Sequence, residues 1–170
     1  MTDTFVRLAR ESPGLTAALW ARRAVMVLLA VVALLALLNR FGQKPSQSAA
    51  QSPAATMTLS SPSTVRGGLF FESRLTVRAA RAIEHPRLVL DSGWVEGIQV
   101  NSITPEPVGQ APRDGRVVLS YDALAPGDLL RVWFQFEVNP TNVGRRSYAI
   151  ELDDAERPVA RLTPDITVLP

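Results

Sequence analysis

The chain has 170 residues, with 18 Lys and Arg against 16 Asp and Glu and a formal net charge of +2. It has no cysteine and one histidine, which excludes a disulfide scaffold, a thiolate nucleophile, a Cys-ligated zinc site, an iron–sulfur cluster and a His-rich metal centre. Apolar residues make up 46% of the chain, which is enough to build a hydrophobic core.

The first predicted element is a transmembrane helix over residues 20–41. Residues 24–38 are fifteen consecutive apolar residues at its centre. As an α-helix, 22 residues rise about 33 Å and therefore cross the roughly 30 Å hydrocarbon core of a lipid bilayer. We expect one continuous helix from about Pro13 to Arg40. The side chains that suit the two membrane interfaces are aromatic or basic: Trp20, Arg22, Arg23, Arg40 and Phe41.

The flanking charges predict the orientation of this helix. On the N-terminal side of the apolar run at residues 24–38 lie four Arg, at positions 7, 10, 22 and 23, whereas Arg40 and Lys44 lie on its C-terminal side. The positive-inside rule therefore places residues 1–19 in the cytoplasm as a short segment, and the chain after the helix outside the cytoplasmic membrane. Two alternatives are a buried core helix and a signal peptide cleaved after the Ser-Ala-Ala of residues 48–50. Residues 2–11 form either a short interfacial helix or a tail.

Residues 42–55 predict a flexible linker. All fourteen are small, polar or proline, and none is an aliphatic residue larger than Ala. Such a segment buries too little apolar surface to offset its ordering entropy. We expect it to act as a spacer between the membrane and the next domain.

Residues 56–170 predict an extracytoplasmic, mainly β domain. The stretches Leu69–Ala79 and Leu130–Val138 alternate apolar and polar residues with a period of two, which is typical of strands with one wet face. Shorter strands are expected over 56–60, 87–90, 97–100, 116–121, 147–152 and 162–168, separated by turns such as Arg113-Asp114-Gly115. About seven to eight strands in this length indicate an immunoglobulin-like (Ig-like) antiparallel β-sandwich.

Two segments carry resemblances to known proteins. The stretch Leu124–Leu152 resembles the last strands of bacterial cell-surface Ig-like repeats, through its Leu-x-Pro-Gly-Asp turn and its Asn-Pro-Thr-x-x-Gly loop. Together with the Leu88–Trp94 stretch, Asn139–Arg146 is similar to single-pass membrane proteins of high-GC Gram-positive bacteria that have no assigned activity. This resemblance implies architecture and location, and it implies no catalytic motif.

The residues provide little basis for an enzyme, and we expect no cofactor, no metal site and no catalytic residue. His85 is the single histidine and precedes a proline, which favours a surface turn over a catalytic group. The acidic run at Asp153, Asp154 and Glu156 lacks the spacing of Ca²⁺-binding loops. Residues 56–170 carry a net charge of −2, so nucleic acid is not an expected partner.

Three aromatic residues depart from the local pattern. Phe70 and Trp133 fall in the polar register of their strands, and Trp94 follows a turn-like Asp-Ser-Gly. Outward aromatic rings often mark a contact surface, so Phe70, Trp94 and Trp133 form a candidate interaction surface. The predicted function is a non-enzymatic interaction module that binds another membrane or envelope protein. The alternative is a cell-wall or carbohydrate-binding module that uses the exposed aromatics.

Overall fold

The structure, a computed structural model, describes residues 13–38 and 43–170. The chain divides into two compact units, Met1–Gly42 and Gln43–Pro170. The predicted interfacial helix or tail at residues 2–11 and the predicted interface anchors Arg40 and Phe41 lie outside the described residues.

The first unit contains the helix α1, Pro13–Leu37, which begins at the predicted proline. Its segment Ala17–Leu37 has a mean hydropathy of 2.0, and none of its most apolar window is buried in protein. Twenty-one helical residues rise about 32 Å, so α1 is long and apolar enough to cross a bilayer. The same length and composition also fit a signal sequence near the N-terminus. The guanidinium carbon of Arg23 lies 5.3 Å from the ring centroid of Trp20, one turn away on the same helix face.

The second unit consists of thirteen strands in three sheets. The strands are β1 Pro45–Gln51, β2 Ala55–Pro62, β3 Thr64–Arg66, β4 Phe70–Ala79, β5 Pro86–Leu90, β6 Ile98–Thr104, β7 Gly109–Arg113, β8 Arg116–Ser120, β9 Leu129–Val138, β10 Gly144–Ser147, β11 Ile150–Asp154, β12 Arg157–Leu162 and β13 Asp165–Leu169. A front sheet has the order β1-β2-β4-β9-β6, a back sheet the order β12-β11-β5-β8-β7, and a small sheet the order β10-β13-β3. Neighbouring strands are antiparallel except β3 and β13, which are parallel.

The mainly β, sandwich-type fold class predicted from the sequence is confirmed. The front and back sheets face each other across one hydrophobic core, to which the small sheet contributes Val65, Ile166 and Val168. Every second residue of β4 and of β9 is buried, in the predicted phase. Burial of one face per strand is the physical basis of the period of two.

The number of strands exceeds the expected seven to eight because short edge strands add to the predicted set. β7 joins β8 through a two-residue turn in which Asp114 and Gly115 have φ values of 50° and 74°. Positive φ at both central positions is what type I′ hairpin turns require, in agreement with the predicted turn. The single strand expected over 162–168 is divided in two at Thr163-Pro164.

The prediction of a flexible linker over residues 42–55 was wrong. Pro45–Gln51 forms β1, which pairs with β2 in antiparallel register from Pro45 opposite Pro62 to Gln51 opposite Thr56. The sheet therefore begins before residue 56, and the compact unit begins at Gln43. Composition missed this strand because its backbone hydrogen bonds are completed by β2, and they need no apolar side chains from β1 itself.

Candidate functional site

Trp94 is part of the core, so its prediction as a surface residue was wrong. Asp91 caps a short 3₁₀ turn over Ser92–Trp94 by accepting a hydrogen bond from the Ser92 N–H. This turn directs the indole between the sheets, where it is 1% exposed. The chain approaches so closely there that a Cβ on Gly93 would lie 2.2 Å from the Ser147 carbonyl oxygen. The preceding turn therefore serves to insert the ring into the core.

The buried indole of Trp94 is held by three rings and one hydrogen bond. Its centroid lies 4.8 Å from that of Tyr148, 5.2 Å from Phe134 and 5.4 Å from Phe136. Its Nε1–H donates to the Ala149 carbonyl oxygen at 2.8 Å. Distances of this size are typical of packed aromatic clusters. An aromatic platform for sugars that includes Trp94 is therefore not formed.

Trp133 and Phe70 point outward from the front sheet, as their register predicts. Trp133 is half-buried, and the Arg74 guanidinium carbon lies 5.6 Å from its ring centroid, within cation–π range. Phe70 is 65% exposed at the start of β4. Each ring thus lies on the solvent face of the front sheet.

The structure places these two rings on neighbouring strands but not side by side. Trp133 is opposite Arg74, and Phe70 is opposite Glu137, so four residues separate the two aromatic positions along the strands. At about 3.3 Å per residue this is about 13 Å. The polar side chains of Glu72 and Gln135 occupy the positions between them. A continuous patch of Phe70, Trp94 and Trp133 therefore does not exist.

A groove along one side of the sandwich is a candidate binding site. We call it the side groove; its volume is about 580 Å³, and it lies between β6, the last strand of the front sheet, and β7, the last strand of the back sheet. Its floor is apolar and continuous with the core: Leu90, Val100, Ile103 and Val117. Its lips carry polar side chains: Asn101, Ser102, Glu106 and Gln110.

The two sides of the sandwich differ. On the opposite side, β12 contacts β1 and β2, so the front and back sheets meet there. On the groove side, β6 contains a bulge between Val100 and Ser102. Bulges interrupt pairing and bend edge strands, which here coincides with the opening between the sheets. The sequence contains the apolar residues of the groove, but it carries no local signal that β6 is bulged or that the two sheet edges stay apart.

Two residues of the acidic run, Asp153 and Asp154, end β11 and have a structural role. The Asp154 carboxylate accepts a hydrogen bond from the His85 backbone N–H at 2.8 Å. Burial raises the pKa of the Asp153 carboxyl above its ordinary value, and the negative charge of Glu151 raises it further. The positive charges of three arginines lower this pKa in part: Arg113, Arg116 and Arg87. Within residues 13–38 and 43–170, no three or more His, Asp or Glu side chains group in a way that could hold a metal ion.

Comparison with known proteins adds two findings. No family model matches the chain, and no curated protein matches it. Among solved structures, two of the CARDB domain of PF1109 from Pyrococcus furiosus are similar to 70% of this chain at 15% identity, with TM-scores of 0.46 and 0.47. They are covered over 97% and 90% of their own lengths, and the second is a complex with di-metal ions. A structure of the CaDoc0917–CaCohA2 complex is similar to 62% of this chain and 94% of its own, at 11% identity and a TM-score of 0.42.

Proposed function

We propose that this protein is a membrane-anchored, non-enzymatic interaction module. In this proposal α1 spans the cytoplasmic membrane with its N-terminus in the cytoplasm. The β-sandwich lies outside the membrane and binds an extended segment of another membrane or envelope protein. The observation that carries the proposal is the side groove, with its apolar floor between two terminal strands.

The side groove suits an extended peptide that adds to β6. Terminal strands present a row of backbone N–H and C=O groups that pairs readily with an incoming strand. Alternate side chains of such a strand would point down to Val100, Ile103 and Val117, while those between them would meet the polar lips. Seven residues, the length of β6, extend about 23 Å. Backbone pairing would provide affinity, and the floor would select apolar residues at every second position.

Anchoring, as opposed to cleavage of a signal peptide, is supported by β1. Cleavage after Ala50 would remove all of β1 except Gln51. The edge of β2, a central strand of the front sheet, would then be unpaired. Because β1 pairs with β2 along its whole length, the intact chain completes the domain.

A non-enzymatic role is supported by the placement of the titratable groups. His85 is exposed in the turn before β5, and its backbone, not its imidazole, makes the contact with Asp154. The side groove contains one titratable side chain, Glu106, among its lining residues. General acid–base or nucleophilic catalysis needs an arranged pair of such groups.

The test is site-specific photo-crosslinking of the full chain in its native membranes. A photoreactive side chain at Asn101, on the lip of the side groove, should form a discrete adduct with a membrane or envelope protein. Gln110→Arg places a charge in the groove, whereas Ala111→Arg places it on the other face of the same strand. The adduct should disappear with Gln110→Arg and persist with Ala111→Arg, while both variants melt alike. An adduct with cell-wall polymer, or one that both variants retain, would overturn the proposal.

A further inference from the structure

The end of the sandwich at which the chain enters the domain exposes several apolar side chains. Gln43, the first residue of the β unit, donates a hydrogen bond from Nε2 to the Phe70 carbonyl oxygen at 3.2 Å. We call this the Gln43 end. Its exposed apolar side chains, with exposed fractions, are Leu69 (47%), Phe70 (65%), Val143 (52%) and Leu169 (40%).

Backbone contacts bring these four residues to the same end. The Val138 N–H donates to the Leu69 carbonyl oxygen at 3.1 Å, and the Gly67 N–H donates to the Leu169 carbonyl oxygen at 2.9 Å. Gly144 pairs with Val168, so Val143 lies beside the end of β13. The apolar residues therefore come from three separate parts of the chain. Sequence alternation alone had placed Leu69 inside, with Phe71.

The chemistry of this end suits a lipid surface. The basic residues Lys44 and Arg66 are exposed there, and basic side chains favour anionic lipid headgroups. Glu137, opposite Phe70, is half-buried in the sheet. A carboxylate at that depth limits insertion to the interfacial layer, where aromatic and aliphatic side chains can rest beside headgroups.

The chain length from the helix restricts what can cover the Gln43 end. Four residues, 39–42, separate Leu38 from Gln43. Even fully extended, this connection reaches no more than about 18 Å. When α1 spans the membrane, the chain therefore keeps Gln43 within about 18 Å of the end of the helix.

We propose that the Gln43 end docks on the outer surface of the bilayer, with Leu69, Phe70, Val143 and Leu169 in the interfacial layer. This inference rests on the membrane anchoring proposed above. Docking would hold the sandwich in one orientation. It would leave the side groove, between β6 and β7, open to partners.

The experiment uses the full chain, which has no native cysteine, reconstituted in vesicles of phosphatidylcholine and phosphatidylglycerol. Spin labels are attached to three single-cysteine variants: Val143→Cys at the Gln43 end, Arg78→Cys at the opposite end of the front sheet, and Val31→Cys in α1. The measurement is the ratio of collision rates with oxygen, which concentrates in lipid, and with a water-soluble nickel chelate.

We expect the ratio at Val143→Cys to exceed that at Arg78→Cys at least threefold and to remain below that at Val31→Cys. Adding Phe70→Ser should lower the Val143→Cys ratio toward that of Arg78→Cys. Equal ratios at Val143→Cys and Arg78→Cys, with Val31→Cys in lipid, would overturn the docking and leave the anchoring intact. A water-exposed Val31→Cys would overturn the anchoring, and the docking with it.

Discussion

Replacing Trp94 by alanine removes the side chain that joins the loop before β6 to the core. A buried aromatic side chain of about 150–250 Å² is worth about 4–6 kcal/mol at about 25 cal/mol per Å². Trp→Ala changes in cores cost about 3–5 kcal/mol. The substitution also leaves the Ala149 carbonyl without its 2.8 Å donor, which costs about 1 kcal/mol more. We expect a loss of about 4–6 kcal/mol, a large part of the free energy of unfolding of a domain this size.

Urea unfolding of the fragment 43–170, followed by far-ultraviolet circular dichroism, measures this loss. Trp133→Ala is the matched control, since that ring lies outward and packs on Arg74. It should cost less than about 1.5 kcal/mol, from the cation–π contact and the strand preference of Trp. Trp94→Phe should fall between them, because it keeps ring contacts but loses the hydrogen-bond donor. Equal and small effects for Trp94→Ala and Trp133→Ala would refute the assignment of Trp94 to the core.

Three further predictions concern the domain boundary, the pH dependence and the topology. Truncation of the fragment 43–170 to 56–170 should lower its free energy of unfolding by about 1–2 kcal/mol, measured by calorimetry, because the β1–β2 pairing is lost. It should also promote association through the exposed β2 edge, measured by sedimentation. Equal stability of the two fragments would contradict the β1 pairing. Because the pKa of Asp153 is raised in the folded state, the folded protein binds the proton more tightly than the unfolded chain does. The resulting gain in the free energy of unfolding is complete below the unfolded-state pKa of about 3.9 and is lost as the pH rises through the folded-state pKa. Asp153→Asn should therefore reduce the fall of the free energy of unfolding with pH between these two pKa values, as measured by urea unfolding at a series of pH values. An unchanged dependence on pH would show that Asp153 does not cause the fall. Alkaline phosphatase fused after Pro170 should be active in cells, because the sandwich is proposed to lie outside the membrane; an inactive fusion at normal expression would reverse the topology.

Where a segment's structure depends on its own side chains, the sequence sufficed. The apolar run that predicts the helix is matched by α1, because helical backbone hydrogen bonds are satisfied within the segment. The alternation in β4 and β9 predicts which residues are buried, since a strand with one wet face must repeat every second residue. The Asp114-Gly115 turn is also local, since it needs only two residues that tolerate positive φ.

Tertiary structure alone decided β1, the position of Trp94 and the side groove. β1 is small and polar, and it becomes a strand because β2 supplies its hydrogen-bond partners. Trp94 follows a turn that looks exposed, and it is buried because Phe134, Phe136 and Tyr148 surround the point where the chain delivers it. The side groove depends on two sheet edges, distant in sequence, that stay apart. Each of these features is set by partners elsewhere in the chain, and a local pattern of residues contains no information about such partners.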